Sequence, residues 1–354
     1  MNKRNVCVLF GGVSPEHEVS LRSAECILSN IDKEKNNVFP VGITKEGKWI
    51  FFESEDYSLL PANVWMDAPG CCPCVLSPSR GDGLLLFRDG QVEKIPMDVV
   101  FPVLHGENGE DGSVQGLMQV AGIPCVGGGV AASATCMDKC MTKLIIDRTK
   151  VRQAKWFLLT RDAFAKAPEA VAAEIEAEFA YPVFVKPAGT GSSVGVSKVR
   201  NREELYTAAE LALRYDRKVL VEEFINGHEV EVAVLGNDNP VASVCGEIIS
   251  GADFYDYDAK YLSDCSRTLI PATISDEQSQ KTRDAALTVY QAMGCRGLSR
   301  VDFFVTYDGG EVVFNEINTL PGFTSISMYP KMFEASGIAC PELIEKLLEL
   351  ALSK

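Results

Sequence analysis

Residues 299–318, SRVDFFVTYDGGEVVFNEIN, constrain the fold more than any other stretch of the chain. Two runs of aromatic and β-branched residues flank the turn-forming Tyr307, Asp308, Gly309 and Gly310, which is a hairpin signature. A turn centred on Gly309 pairs positions whose numbers sum to 618, so Asp302 faces Glu316 and Arg300 faces Asn318. Side chains alternate along a strand, so these four share one face while Val301, Phe303 and Ile317 turn into the core. Facing carboxylates repel. Two carboxylates with an amide carbonyl suit Mg²⁺ or Mn²⁺ rather than zinc or copper, and a phosphate would supply the remaining ligands. A one-residue slip would scatter the cluster and leave an ordinary hairpin with a solvated polar face.

The rest of the chain reads as alternating α and β elements. Residues 6–10 form a buried strand that meets a Gly11-Gly12 turn, and Ser14 with Pro15 announces a helix with Leu21, Ala24, Leu28 and Ile31 on its apolar face. A second buried run, residues 99–104, ends in HGENGEDG, and a third, residues 123–126, ends in three glycines. Strand followed by glycine turn argues a parallel sheet carrying its loops on the carboxyl edge. Further on, Met137, Met141, Leu144 and Ile145 make a helical stripe, and residues 167–179 an Ala/Glu-rich helix. Ser275 with Gln278 is a capping box, Gly294 closes that helix, and Pro341 opens a last helix with Leu343, Ile344, Leu347 and Leu348 on its apolar side.

Charge limits the partners. With 34 Lys+Arg against 49 Asp+Glu the chain carries −15, too acidic for a broad face toward nucleic acid or anionic membrane. An anionic ligand must therefore meet locally concentrated cations. Twelve cysteines are sparse at this length, and no signal-like or membrane-spanning run occurs, so a cytoplasmic protein with reduced thiols is expected. Cys71, Cys72 and Cys74 lack the second Cys or His pair of a structural zinc site.

Lys186 precedes PAGTGSSVG, a loop of small residues with free backbone N–H groups, entered and left by strands. No Walker A pattern occurs, and a glycine flap closing over phosphates fits better than a simple flexible turn. In VLVEEFINGHEVEVAVLG, Glu222, Glu223 and Glu229 surround an Asn226-Gly227 turn. This is either a hairpin with an acidic face or a crossing between domains whose backbone reads an adenine edge while Glu229 accepts from ribose hydroxyls.

These motifs, with FGGVSPEHEVSLRSA, PVLHGENGEDGSVQG, MDKCMTK, FYDYDAKY and FNEINTLPGFTSISMYP, run nearly the whole chain. The sequence resembles the ATP-grasp ligases, and within them the D-alanine-D-alanine ligases of cell-wall synthesis. The resemblance implies three domains: an amino-terminal α/β substrate domain (1–128), a central α+β domain with the flap (129–221), and a carboxyl-terminal domain with the metal site (222–354). ATP would be gripped between the last two. Lys139, Lys186, Ser193, Glu222, Glu223, Phe224 and Glu229 then match nucleotide-binding positions, and Asp302, Glu316 and Asn318 hold two Mg²⁺ ions (or Mn²⁺).

By the same resemblance, Glu16 binds the ammonium of the first D-alanine beside His105, and Glu16, Ser192 and Tyr261 form a hydrogen-bonded group. Arg300 stabilises the acyl phosphate and tetrahedral intermediate, and Gly322 and Ser327 meet the second substrate. The implied product is D-alanyl-D-alanine for peptidoglycan precursors, made by a homodimer acting on small molecules alone. A mobile cover over residues 254–261 would keep water from the acyl phosphate. The chain departs from family habit in GTGSS and at Ile326. Met328, where relatives that accept D-serine often carry Arg, favours D-alanine, and Tyr261 argues against D-lactate. A D-alanine-D-serine ligase and a catalytically silent nucleotide-binding relative are the alternatives.

Overall fold

The computed structural model describes residues 3–250 and 266–353. Among these, the strands form three sheets. In the first, Arg4–Gly11 lies between Asn36–Ile43 and Val99–Leu104, both parallel to it. The parallel sheet expected from the glycine turns stops there. Trp49–Phe51, Cys72–Leu76, Leu84–Arg88 and Gln91–Ile95 extend it antiparallel, with no α-helix between them to cross the chain over. Residues 123–126 supply a single bridge, Val100 to Cys125, instead of a strand.

Helix His17–Asn30 buries Leu21, Ala24 and Leu28 against this sheet. It starts later than the Ser14-Pro15 reading expects, because Ser14 spends its groups on a turn: its Oγ accepts from Glu16 N at 3.0 Å and its carbonyl from His17 N at 3.2 Å. Glu16 thereby takes the N-cap position, with its side chain left for other partners.

The second sheet runs Ser197–Val199, Val183–Pro187, Lys218–Glu223, Trp156–Thr160, all neighbours antiparallel. A strand does leave the glycine loop, as its sequence suggested. Helices Pro168–Glu178 and Arg202–Tyr215 cover one face through Val171, Ala172, Leu205 and Ala209. The stripe expected through Met137 and Met141 is broken at Asp138, whose carboxylate accepts from Cys140 N and Met141 N and starts a new helix, Lys139–Ile146. Met141 and Leu144 are consequently exposed, and Cys140, Thr142, Lys143 and Ile146 form the buried side.

The third sheet runs Ser266–Leu269, Val241–Ser250, Gly227–Gly236, Gly297–Thr306, Val312–Asn318. Of the two readings for Asn226-Gly227, the crossing is the observed one: the strand before it belongs to the second sheet and the strand after it to the third. Glycine is required there, since a Cβ on Gly227 would lie 2.5 Å from the Val305 carbonyl. Helix Asp276–Ala292 backs this sheet and carries the complete Ser275/Gln278 capping box. Helix Cys340–Leu352 returns to the first sheet, where Leu343, Ile344, Leu347 and Leu348 share one core with Val6, Val99, Ala233 and Leu298. That shared core fixes the first and third sheets against each other. Among the described residues, no helix is long and apolar enough to cross a membrane, and the cysteines are free.

Candidate active site

The three sheets enclose two adjoining compartments of about 560 and 610 Å³. Glu16, His105, Gly322 and Ser327 line the first, and Phe184, Ser193, Phe224, Glu229 and Asp302 line the second. The wall between them is common property: Lys139, Lys186, Ser192, Glu222, Arg300 and Glu316 border both. Cations and carboxylates thus concentrate where the two spaces meet.

On the second-compartment side, Lys186 extends from Val183–Pro187 and its Nζ lies 2.7 Å from Glu222 Oε2. The other oxygen of Glu222 is 2.5 Å from Nζ of Lys143, which is wholly buried. Burial alone would push the Glu222 carboxyl up, but the two ammonium groups more than reverse this and hold it at about 2. Lys139 Nζ donates to the Thr190 carbonyl at 2.6 Å, tying the new helix to the glycine loop. In that loop Ser192 and Ser193 both hold positive φ (49° and 58°), a left-handed pair that non-glycine residues seldom adopt. A Cβ on Gly195 would lie 2.7 Å from the Tyr215 ring and 2.9 Å from Pro187, so the loop can pass there only as glycine. Glu223 turns its carboxylate to Lys155 N at 2.9 Å, and the half-exposed Phe224 ring carries Lys198 Nζ 4.1 Å above its centroid.

The acidic face arises from register. Arg300 pairs with Asn318 and Asp302 with Glu316, while the next strand over sets Glu231 beside Asp302. Three carboxylates therefore stand abreast across three strands. Arg300 answers them: its guanidinium is bidentate to Asp302 at 2.8 and 2.7 Å and its Nε is 3.2 Å from Glu231. Burial works against the Arg300 charge, yet Asp302 and Glu231 drive its pKa further up. Asp302, Glu316 and Asn318 present oxygen donors only, a set that fits Mg²⁺ or Mn²⁺. Among the described residues, no group of three or more His, Cys, Asp or Glu forms a metal cage by protein ligands alone.

On the first-compartment side, Ser192 Oγ donates to Glu16 Oε1, joining the glycine loop to the N-terminus of the first helix. The approach is close, and a Cβ on Gly106 would lie 3.0 Å from Glu16 Oε2. His105 donates from Nδ1 to the Leu320 carbonyl at 3.1 Å, which leaves Nε2 as the acceptor facing Ser23 Oγ at 3.5 Å. Burial pulls the imidazole pKa down, against the opposing pull of Glu16, so the ring is neutral near pH 7. Ser23 Oγ also accepts from Phe323 N at 3.1 Å, which positions the turn holding Gly322. Ser327 Oγ accepts from Thr324 N at 3.0 Å and caps that turn.

Residues 5–128 match the family domain described as D-ala D-ala ligase N-terminus, and residues 145–349 match D-ala D-ala ligase C-terminus. The chain belongs to the D-ala D-ala ligase family. It is 50% identical to a D-alanine--D-alanine ligase of Acetivibrio thermocellus, with all of this chain and 97% of that one covered. It is 48% identical to one of Caldicellulosiruptor bescii, covering 100% and 96%. Among solved structures, the VanG D-Ala:D-Ser ligase of Enterococcus faecalis is 41% identical with a TM-score of 0.90, covering 99% of this chain and 100% of that one. The D-alanine-D-alanine ligase of Coxiella burnetii is 34% identical with a TM-score of 0.86, covering 99% and 94%. The architecture is accordingly an ATP-grasp fold preceded by an amino-terminal α/β domain.

Membership in this ligase family directs attention to residues that sequence reasoning passed over. Glu231 was legible, because the alternation in HEVEVAV puts it on the same face as Glu229. Asn315 was not: a bulge in the hairpin makes it the extra residue, and Lys186 Nζ lies 3.5 Å from its Oδ1. Glu110 and Lys143 sit in motifs already noted, but only the fold reveals that both are buried. Tyr261 and the proposed cover over residues 254–261 lie outside the described residues.

Proposed function

We propose that the chain joins two D-alanine molecules into D-alanyl-D-alanine at the expense of ATP, supplying peptidoglycan precursors. The observation that carries this reading is the shared wall, which puts Lys139, Lys186 and Arg300 between the compartment under the glycine loop and the compartment lined by Glu16 and Glu110. A carboxylate does not react with an amine at neutral pH, so one D-alanine must first attack the γ-phosphorus of ATP, forming a carbon–oxygen–phosphorus link and releasing ADP. The amine of the second D-alanine then attacks the carbonyl, and phosphate departs with the former carboxylate oxygen.

The residues divide this work. Glu16 takes the ammonium of the first D-alanine, and neutral His105 shapes the same pocket without competing for charge. Lys139 and Lys186 screen the anions from one another, while the glycine loop around Ser192 and Ser193 covers the transferring phosphoryl group. Asp302 and Glu231 aim Arg300 so that its remaining N–H donors meet the charge that develops on the acyl oxygen. Glu229 takes the ribose, the backbone around Glu223 and Phe224 the adenine edge, and Gly322 with Ser327 the second carboxylate. Two Mg²⁺ ions bound by Asp302, Glu316 and Asn318 would neutralise the β- and γ-phosphates as electrophilic clamps. Tyr261 is proposed to complete the Glu16–Ser192 group.

We further take residues 1–128, 129–221 and 222–354 as the working domains of a cytoplasmic homodimer, a state that sedimentation would check. The test of function is phosphate release with Mg-ATP over a panel of D- and L-amino acids and D-lactate. Phosphate and dipeptide in equal amounts with D-alanine alone support the reading. Preferential mixed product with D-serine, or ATP binding without turnover, would replace it.

A further inference from the structure

Lys143 carries a charge in a place where a charge is expensive. It projects from the buried side of helix Lys139–Ile146, is 1% exposed, and its ammonium lies over the Phe314 ring, 5.7 Å from the centroid. A lysine that only filled space here would be better replaced by an apolar residue of the same length. Among the described residues its carboxylate partner is Glu222, whose other oxygen is already taken by Lys186. Of the three, Lys186 and Glu222 border both compartments and Lys143 neither.

Charge counting gives the consequence. A Lys186–Glu222 pair alone would be neutral, and a carboxylate 2.7 Å from the ammonium would cancel most of its field toward an incoming phosphate. With Lys143 the buried triad sums to one positive charge; Lys186 and Glu222 line the cleft and Lys143 lies behind Glu222. We propose that Lys143 is a positioning residue that neutralises Glu222 from behind, so that Lys186 is held in place by a carboxylate yet keeps its positive charge for the nucleotide phosphates. This rests on the reading of the second compartment as a nucleotide site.

The full chain carrying Lys143→Met tests it by calorimetric titration with Mg-ADP and with adenosine. Mg-ADP should bind about tenfold more weakly or worse, the order expected for one charge lost near a partly screened site, and adenosine within about twofold of wild type, since only the phosphates sense the lost charge. In Lys143→Met/Glu222→Gln the negative charge goes as well and the triad again sums to one; because Glu222 itself lines the nucleotide compartment, the quantity read is the ratio of Mg-ADP to adenosine affinity, which should return to within about threefold of wild type. Unchanged Mg-ADP binding in the single variant, equal weakening of adenosine, or a double variant no better than the single would each overturn the proposal. If Lys143→Met does not melt cooperatively, the double variant is compared with wild type directly, and a fall of more than about tenfold in the ratio of Mg-ADP to adenosine affinity overturns it. A wild-type chain that does not bind Mg-ADP would instead remove the nucleotide reading beneath it.

Discussion

The hydrogen bond from Ser192 to Glu16 is a direct link between the glycine loop and the amino-terminal domain, and its loss should be measurable. A hydrogen bond to a carboxylate contributes about 1.5–3 kcal/mol net. Both groups are only part-buried, so solvent screening discounts this to about 1–2 kcal/mol. If the bond is made in the closed, reacting state, Ser192→Ala should lower kcat/KM for D-alanine by about 5- to 30-fold. Ser192 also holds a positive φ of 49°, so Ser192→Gly, which relieves that strain while losing the same bond, separates the two contributions. Both variants should fall to within about threefold of each other, and their melting midpoints should stay within about 2 °C of wild type because the contact lies at the cleft and not in a core. Phosphate released per dipeptide should rise above one as water reaches the acyl phosphate. A value of kcat/KM within twofold of wild type for Ser192→Ala, or activity retained by the glycine variant alone, would refute the reasoning.

Asp302→Asn and Glu316→Gln should each reduce phosphate release by about 100-fold or more. Glu316→Gln should melt unchanged or slightly higher, since it relieves repulsion in the row of carboxylates, whereas Asp302→Asn also breaks the bidentate pair with Arg300 and should melt lower while staying cooperative; a lost cooperative transition would mark the pair as structural. Glu110 gives a pH signature: burial, and then Glu16, raise its carboxyl to about 8 from an ordinary 4.5. The folded value lies above the unfolded one, so the neutral acid costs nothing below about pH 4.5, and stability is lost progressively as pH rises toward 8. Glu110→Gln should remove roughly 3–5 kcal/mol of that slope in urea unfolding between pH 5 and 8; parallel curves for variant and wild type would contradict it.

The hairpin illustrates what a sequence can and cannot convey. The register that sums to 618 holds for Arg300, Val301 and Asp302, then shifts by one from Phe303 onward because Asn315 bulges out. The acidic face was legible because it lies on the far side of that bulge from the turn, and the bulge itself left no signal. Periodicity located the first and last helices and the capping box, whose determinants are local. It failed at Met137–Met141, where the N-cap of Asp138 overrides an apolar stripe, and in the first sheet, where three parallel strands continue into an antiparallel meander. Lys143 shows the same limit in the site: nothing in MDKCMTK singles it out, and only the packing of Glu222 between two lysines gives it a part.

In the proposed reaction, a D-alanine carboxylate oxygen ends the cycle on phosphorus. With D-alanine labelled by ¹⁸O in its carboxyl group, each dipeptide formed should deliver one labelled oxygen to inorganic phosphate, visible as an upfield isotope shift in ³¹P NMR. Phosphate that emerges unlabelled while dipeptide accumulates would contradict the whole account.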